Sequence, residues 1–181
     1  PISAVLDLIL GNDLSADEVA KVRIRSTARS ADILADPSKY DPRSKETADH
    51  SLPYVIAAAI ADRQVTPLQF TQAKIMDPKI RAQLQKVEVI ADPEIEKVFP
   101  ALQRADVEVD TTDGRTFSTR LDFPKGDPRN PLSDSEIEAK FDALAAPVMS
   151  SSAAARLKDA VWNLETLDSV TELMELAQSD R

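Results

Sequence analysis

The chain has 181 residues, 43% hydrophobic, 29% charged and only 4% aromatic, with three glycines; these are globular proportions with an aliphatic, helix-tolerant interior. Thirty-one acidic against 22 basic residues give a formal net charge of −9, which repels polyanions and argues against generic binding to nucleic acid or an anionic membrane. The absence of cysteine excludes disulfides, thiol catalysis and zinc-thiolate sites, and a single histidine, His50, removes every motif that needs two. Gly11, Gly114 and Gly126 stand alone, so neither a dinucleotide fingerprint, a phosphate loop nor a serine-hydrolase elbow can be built. The apolar stretches 2–10 and 55–61 are too short to span a bilayer and lack the basic flank of a signal peptide.

Ile2, Val5, Leu6, Ile9 and Leu10 recur at helical spacing and Gly11-Asn12 is a stop, so the spacing predicts a helix from the first residues. A chain that opens on Pro1 inside an amphipathic element reads as one cut from a longer protein. Ser15 can cap a turn containing Asp17 and Glu18. Val19, Val22 and Ile24, set among Lys21, Arg23 and Arg25, predict a half-exposed strand whose basic side is a solvated face. Residues 30–46 are polar and twice broken by Asp-Pro, and Asp36-Pro37 to Asp41-Pro42 predict a surface loop. Pro53 predicts a helix start, because proline suits a first turn and pushes Leu52 out of the α region; that helix runs to about Asp62. Thr66-Pro67, Asp77-Pro78 and Asp92-Pro93 pair a capping residue with proline and predict three more short helices, with a strand at 86–90.

Val107, Val109 and Thr111 lead into Asp113-Gly114, and 116–123 lead out with the same alternation, the signature of a β-hairpin. After a loop at 124–131, Ser133 and Glu136 form a capping box that opens a helix with Ile137, Phe141 and Leu144 as its buried stripe. Helices at 152–164 and 168–178 follow. Their stripes are Ala155, Leu157, Val161 and Trp162, then Val170, Leu173, Met174 and Leu176, with Trp162 and Met174 read as packing residues. Few short strands among many helices predict an α+β fold: a small, mostly antiparallel sheet with helices on one face, followed by carboxyl-terminal helices.

Two strings carry more than local structure. Glu46-Thr47-Ala48-Asp49-His50-Ser51-Leu52-Pro53-Tyr54 precedes the small-residue helix at 55–61. Phe123-Pro124-Lys125-Gly126-Asp127-Pro128-Arg129-Asn130-Pro131-Leu132-Ser133 leads into Glu136-Ile137-Glu138-Ala139-Lys140-Phe141. Both resemble segments of the MmgE/PrpD family of cofactor-independent lyases, the second being similar to that family's Lys-Gly-x-Pro-x-Asn-Pro-Leu loop. Asp77-Pro78-Lys79-Ile80, Lys86-Val87-Glu88-Val89 and Asp159-Ala160-Val161-Trp162-Asn163-Leu164 fall in the family's order, so the resemblance covers essentially the whole chain.

The resemblance implies the carboxyl-terminal part of an enzyme that acts on a small polycarboxylate with neither metal nor organic cofactor. A 2-methylcitrate dehydratase, forming 2-methyl-aconitate, is the first expectation. Cis-aconitate decarboxylase and iminodisuccinate epimerase are the alternatives within the family, and a non-catalytic truncated module that binds a partner subunit is the alternative from another class. It further implies an α+β lid-type domain at 1–125, then a linker loop and helices at 126–181 that would pack on a helical domain outside this chain. That missing domain would supply the family's upstream acid, lysine and histidines. The partners implied are the substrate, the missing domain or a partner chain, and a second copy in a dimer, without nucleic acid or membrane. The expected location is the cytoplasm, or the mitochondrial matrix in a eukaryote.

By the same resemblance Tyr54 aligns with an active-site tyrosine. A phenol at a helix start can donate to a substrate carboxylate or protonate a carbanion, beside first-turn amides that favour the same anion; read alone, Tyr54 is a half-buried helix residue. His50 is a candidate proton carrier or a structural hydrogen bond at the helix entry. Ser51 either caps the helix or touches the ligand, with capping favoured. Lys125 and Arg129 lie in a loop with one glycine and three prolines, as carboxylate-binding cations or as parts of a rigid hinge, the hinge being favoured. Glu94 with Glu96, and Asp134 with Glu136, are helix-start charges that the macrodipole explains, and no metal site is expected. Without a covering domain, the stripe of the last helix would lie exposed as an apolar patch.

Overall fold

In a computed structural model, which describes residues 1–178, the first apolar stripe forms α1 (Ile2–Gly11) and buries Ala4, Val5, Leu8 and Ile9. The chain divides into two compact units, Pro1–Pro131 and Leu132–Arg181.

The first unit is built on a four-stranded sheet of β1 (Val19–Ser26), β2 (Val87–Ala91), β3 (Ala105–Thr111) and β4 (Thr116–Leu121), in the order β2-β1-β3-β4. The fold is α+β, and the sheet is mixed. β1 and β3 run antiparallel with Val22 opposite Val109, and β3 and β4 form the hairpin across Asp113-Gly114, but β2 joins β1 in parallel with Val22 opposite Val87. The physical reason is the length of the connection: residues 27–86 form a long helical crossover, which permits parallel pairing where a tight turn would not.

Side chains alternate across this sheet. Ala105, Val107, Val109 and Thr111 are buried on one face, where α1 and α4 (Leu52–Asp62) pack with Val22, Ile24, Ile56 and Ile60. Residues 52–60 of α4 are buried on every side. The outer side of that helix meets a second cluster, Ala48, Ile75, Ile80 and Leu84, and Ala57 and Ala58 let these neighbours approach closely. The opposite face of the sheet carries a ladder of ion pairs: Lys21–Glu88 at 2.7 Å, Arg23–Asp110 at 2.6 Å, Arg120–Asp106 at 2.6 Å, and Arg23–Glu108. On the basic side of β1, Lys21 and Arg23 are therefore cross-strand paired rather than simply solvated, while Arg25 is exposed.

The polar stretch 30–46, with a surface loop expected at 36–42, holds short elements on either side of that loop and a turn within it. It contains most of α2 (Ala28–Leu34), a 3-10 turn (Pro37–Tyr40) and the start of α3 (Lys45–Asp49). Thr27, Asp36 and Ser44 each accept a backbone N–H of the turn that they open, and Ser44 and Thr47 complete a reciprocal capping box. Caps rather than apolar periodicity hold these short elements, so a search for periodicity passes over them. The three proline-led starts are present, as a 3-10 turn (Pro67–Phe70) leading into α5 (Gln72–Ile75), as α6 (Pro78–Leu84) and as α7 (Pro93–Val98).

The second unit has α8 (Asp134–Ala145), opened by the Ser133–Glu136 capping box, then α9 (Ser151–Trp162), a short 3-10 turn (Leu164–Thr166) and α10 (Val170–Leu176). Its core is made of Ala145, Met149, Ala153, Ala154 and Leu157, with Phe141, Leu173 and Leu176 against it. Ile137 and Leu144, expected in a buried stripe, are nearly half exposed, and so is Trp162; Val170 and Met174 are about two-thirds exposed. Three short helices have more apolar faces than their mutual contacts can cover, and the small residues take the interior.

Candidate active-site segment and its surroundings

The junction of α3 and α4 brings three of the candidate residues together in sequence and separates them by burial. His50 ends α3 and is exposed; since a carbonyl can only accept, its Nδ1–H donates to Glu46 O at 3.0 Å, leaving Nε2 as the nitrogen open to proton exchange. Ser51 is buried as the N-cap of α4. Its Oγ accepts from Tyr54 N at 3.0 Å and donates to Lys39 O at 2.6 Å. Pro53 has no N–H, and Val55 N is bonded to Ser51 O. The first turn is thus closed by its own cap, and the anion-receptive amides suggested by the sequence are largely taken.

Tyr54 is fully buried rather than half-buried. Its ring lies 5.9 Å from that of Phe70, and its hydroxyl donates to Gln69 O. Burial, and then the carboxylates of Asp62 and Asp77, push the phenol up to about 12, so it is a neutral proton donor throughout the physiological range.

The loop after β4 forms a separate local network. Arg129 donates to both oxygens of Asp127 at 2.8 and 2.9 Å and to Ala101 O at 3.0 Å, with its guanidinium 3.8 Å above the Phe123 ring. Those bonds hold the Asp127 carboxyl down at about 2. Gly126 adopts φ +95°, a conformation that glycine reaches without strain, and Asn130 donates to Phe123 O at 3.0 Å. Lys125 is exposed, and its backbone N–H reaches Ser3 Oγ at 3.3 Å. The bonds of Ser51, Tyr54 and His50 run to Lys39, Gln69 and Glu46, and those of Arg129 to Asp127 and Ala101, so none of them links the two groups.

Residues that pattern reading passed over surround Tyr54. Gln69 is 2% exposed, accepts from Thr66 N at 2.8 Å and Thr66 Oγ1 at 2.9 Å, and donates Nε2–H to Asp62 at 2.9 Å. Lys74 spans both oxygens of Asp62 at 2.8 and 2.7 Å. The Thr66-x-x-Gln69 spacing is a capping-box signal and could have revealed Gln69; the partners of Asp62 have no sequence signal. Among the described residues, no group of three or more His, Asp or Glu side chains is placed to hold a metal ion, and no helix is long and apolar enough to cross a membrane.

An α+β unit of this topology, with the His50–Tyr54 segment at the head of a buried helix and a rigid Lys-Gly-Asp-Pro-Arg-Asn-Pro loop after the hairpin, defines a class. Residues 1–166 match the MmgE/PrpD C-terminal domain, and the chain belongs to the MmgE/PrpD family. It is 35% identical to cis-aconitate decarboxylase of Homo sapiens over 135 residues, covering 75% of this chain and 28% of that protein. It is 30% identical to cis-aconitate decarboxylase of Mus musculus over the same coverage, and 25% identical to that of Aspergillus terreus over 137 residues. The family thus includes lyases, and the chain spans 28% of the length of these curated relatives.

Proposed function

We propose that this chain is the lid-bearing carboxyl-terminal portion of a polycarboxylate lyase working without a metal or organic cofactor, with cis-aconitate as its first-choice substrate. The observation that carries this reading is its 35% identity to a cis-aconitate decarboxylase across three-quarters of the chain. Decarboxylating an unsaturated tricarboxylate breaks a carbon–carbon bond, releases carbon dioxide and leaves an electron pair that a positioned acid must protonate. Dehydration of 2-methylcitrate, the finer expectation from the sequence, needs the same kinds of group: a base, carboxylate-binding cations and an acid for the departing hydroxyl.

His50, exposed with Nε2 open, serves as the proton carrier at the surface of this unit, and Lys125 as the carboxylate-binding cation. Tyr54 donates its proton only after exchanging its bond to Gln69. Ser51 and Arg129 take framing roles, because the Ser51 hydroxyl already caps α4 and Asp127 already neutralises Arg129. The remaining catalytic groups come from a helical domain or partner chain that covers the apolar residues of the second unit, and the assembled enzyme is a homodimer.

The test supplies cis-aconitate and 2-methylcitrate to this chain, alone and with an added amino-terminal helical domain from a family member, following carbon dioxide release and the absorbance of a new conjugated double bond. Carbon dioxide from cis-aconitate with the added domain supports the reading. A new double bond from 2-methylcitrate moves the substrate to the dehydratase. Silence in every arm overturns the lyase and leaves a partner-binding module. His50→Ala in the active pairing is expected to lower kcat about 100-fold or more, the usual scale for losing a general acid or base.

A further inference from the structure

The Tyr54 phenol closes a set of bonds along one side of α4. Tyr54 and Asp62 are eight residues apart and so share a helix face. The hydroxyl of the first donates to the carbonyl of Gln69, and the carboxylate of the second accepts from the Gln69 side chain. The Gln69 side chain makes three hydrogen bonds: its Oε1 takes two from Thr66 and its Nε2 gives the one to Asp62. Lys74, in α5, ties the far end of the segment 67–75 to the same Asp62. The segment is therefore fastened across α4 at two points, with Tyr54 sealed beneath it among Ala48, Ala57, Ile75 and Ile80.

A phenol has one O–H to donate, and here a protein carbonyl accepts it. We infer that Gln69, Asp62 and Lys74 are positioning residues for Tyr54, forming a latch that keeps its O–H bonded to the Gln69 carbonyl until the 67–75 segment lifts. This rests on the reading that Tyr54 serves the lyase reaction; the latch itself can be measured without substrate. Burial and the nearby carboxylates of Asp62 and Asp77 keep the latched phenol protonated, while Lys74 and Lys79 are the cations that stabilise Asp62 as the charged anchor. Lys74 is the accessible end of the device, since its side chain is 35% exposed against 17% for Asp62.

The test is nitration of the protein by tetranitromethane at mildly alkaline pH, with each tyrosine read separately by peptide mass spectrometry. Tyr40, partly exposed in its 3-10 turn, is the internal reference. Tyr54 is expected to react at least about tenfold more slowly than Tyr40. Lys74→Ala and Gln69→Ala should each raise the Tyr54 rate about tenfold with Tyr40 unchanged, the scale expected when a charge-assisted tether no longer resists local opening. Lys74→Arg, which restores a donor for Asp62, should return the rate to that of the parent. A parent in which Tyr54 reacts as fast as Tyr40, or a Tyr54 rate that neither alanine variant moves, overturns the latch. Should Gln69→Ala fail to fold, Lys74→Ala on the surface end decides alone. Turnover does not enter these rates, so a wrong substrate assignment leaves the nitration result standing, and a failed latch leaves the lyase assay standing.

Discussion

Tyr54 and Asp127 show how local contacts set the chemistry of single residues, in opposite directions. The folded phenol is pushed up to about 12 from an ordinary value of 10.0. The native state therefore keeps a proton that the unfolded chain loses as pH climbs from about 10 to about 12. Its contribution to stability is complete below about 10 and declines through that window. Tyr54→Phe removes the donor and strands the buried Gln69 carbonyl, so it should cost about 1–2 kcal/mol at neutral pH. Urea midpoints compared at about pH 9 and about pH 11 should fall less steeply for the variant than for the parent. Asp127 runs the other way. Its folded value of about 2 lies below the ordinary 3.8, so its contribution is present above about 4 and lost as pH falls towards 2. Asp127→Asn should flatten that acid limb, and hydrogen exchange at 124–131 should rise because Arg129 loses its anchor. At this scale the sequence named residues and left their states open. The string around Tyr54 is readable by its resemblance, yet its burial comes from Ile75, Ile80 and Leu84, which sit twenty or more positions later and reach it only through the turns at Pro67 and Pro78.

Elements were legible wherever a local signal was also the physical cause. Proline after a cap residue starts a helix because φ is preset and no donor is lost, and Asp-Gly closes the β3–β4 hairpin; both appear where the sequence places them. The polar stretch 30–46 misleads because its turns rest on caps, and the parallel seating of β2 misleads because strand direction depends on the whole crossover. α4 is the element on which the candidate site depends, and its entry is the most consequential cap. Ser51 satisfies Tyr54 N and also binds Lys39 O inside the fold, whereas Ser133 caps α8 at the surface. Ser51→Ala should therefore cost about 2 kcal/mol, the top of the ordinary range for a lost N-cap, and Ser133→Ala about 1 kcal/mol, its typical value. Thermal unfolding of the two variants, followed by circular dichroism, should give the larger drop in Tm for Ser51→Ala. Equal drops would mean that the Lys39 bond adds nothing to the cap.

At the scale of the whole molecule, the two units differ in how well they finish themselves. The first has a sheet covered by helices on one side and cross-strand ion pairs on the other, so few of its large apolar side chains need a cover. The second unit leaves Ile137, Leu144, Val148, Val161, Trp162, Leu164, Val170 and Met174 each at least 45% exposed, a concentration of apolar surface that soluble domains normally hide. Ile137, Phe141, Leu157, Val161 and Trp162 line a small hollow of about 150 Å³. Periodicity placed Ile137, Leu144, Val161, Trp162, Val170 and Met174 on apolar stripes expected to pack, but it carries no information on whether the covering surface belongs to the same unit. Replacing Val170 by Ser together with Met174 by Gln separates the two cases, because neither side chain belongs to the core of this unit as Leu157 and Leu173 do. Exposed side chains away from core contacts usually change stability by no more than about 0.5 kcal/mol each, so the double variant should unfold at close to the parent temperature. Its binding of a hydrophobic fluorescent dye, and its self-association in sedimentation, should fall clearly below the parent's. In the pairing with an added helical domain, the same double variant should bind that domain more weakly and lose turnover in proportion. A variant that keeps full dye binding would place the adhesive surface elsewhere, and one that keeps full turnover would show that α10 takes no part in the assembly.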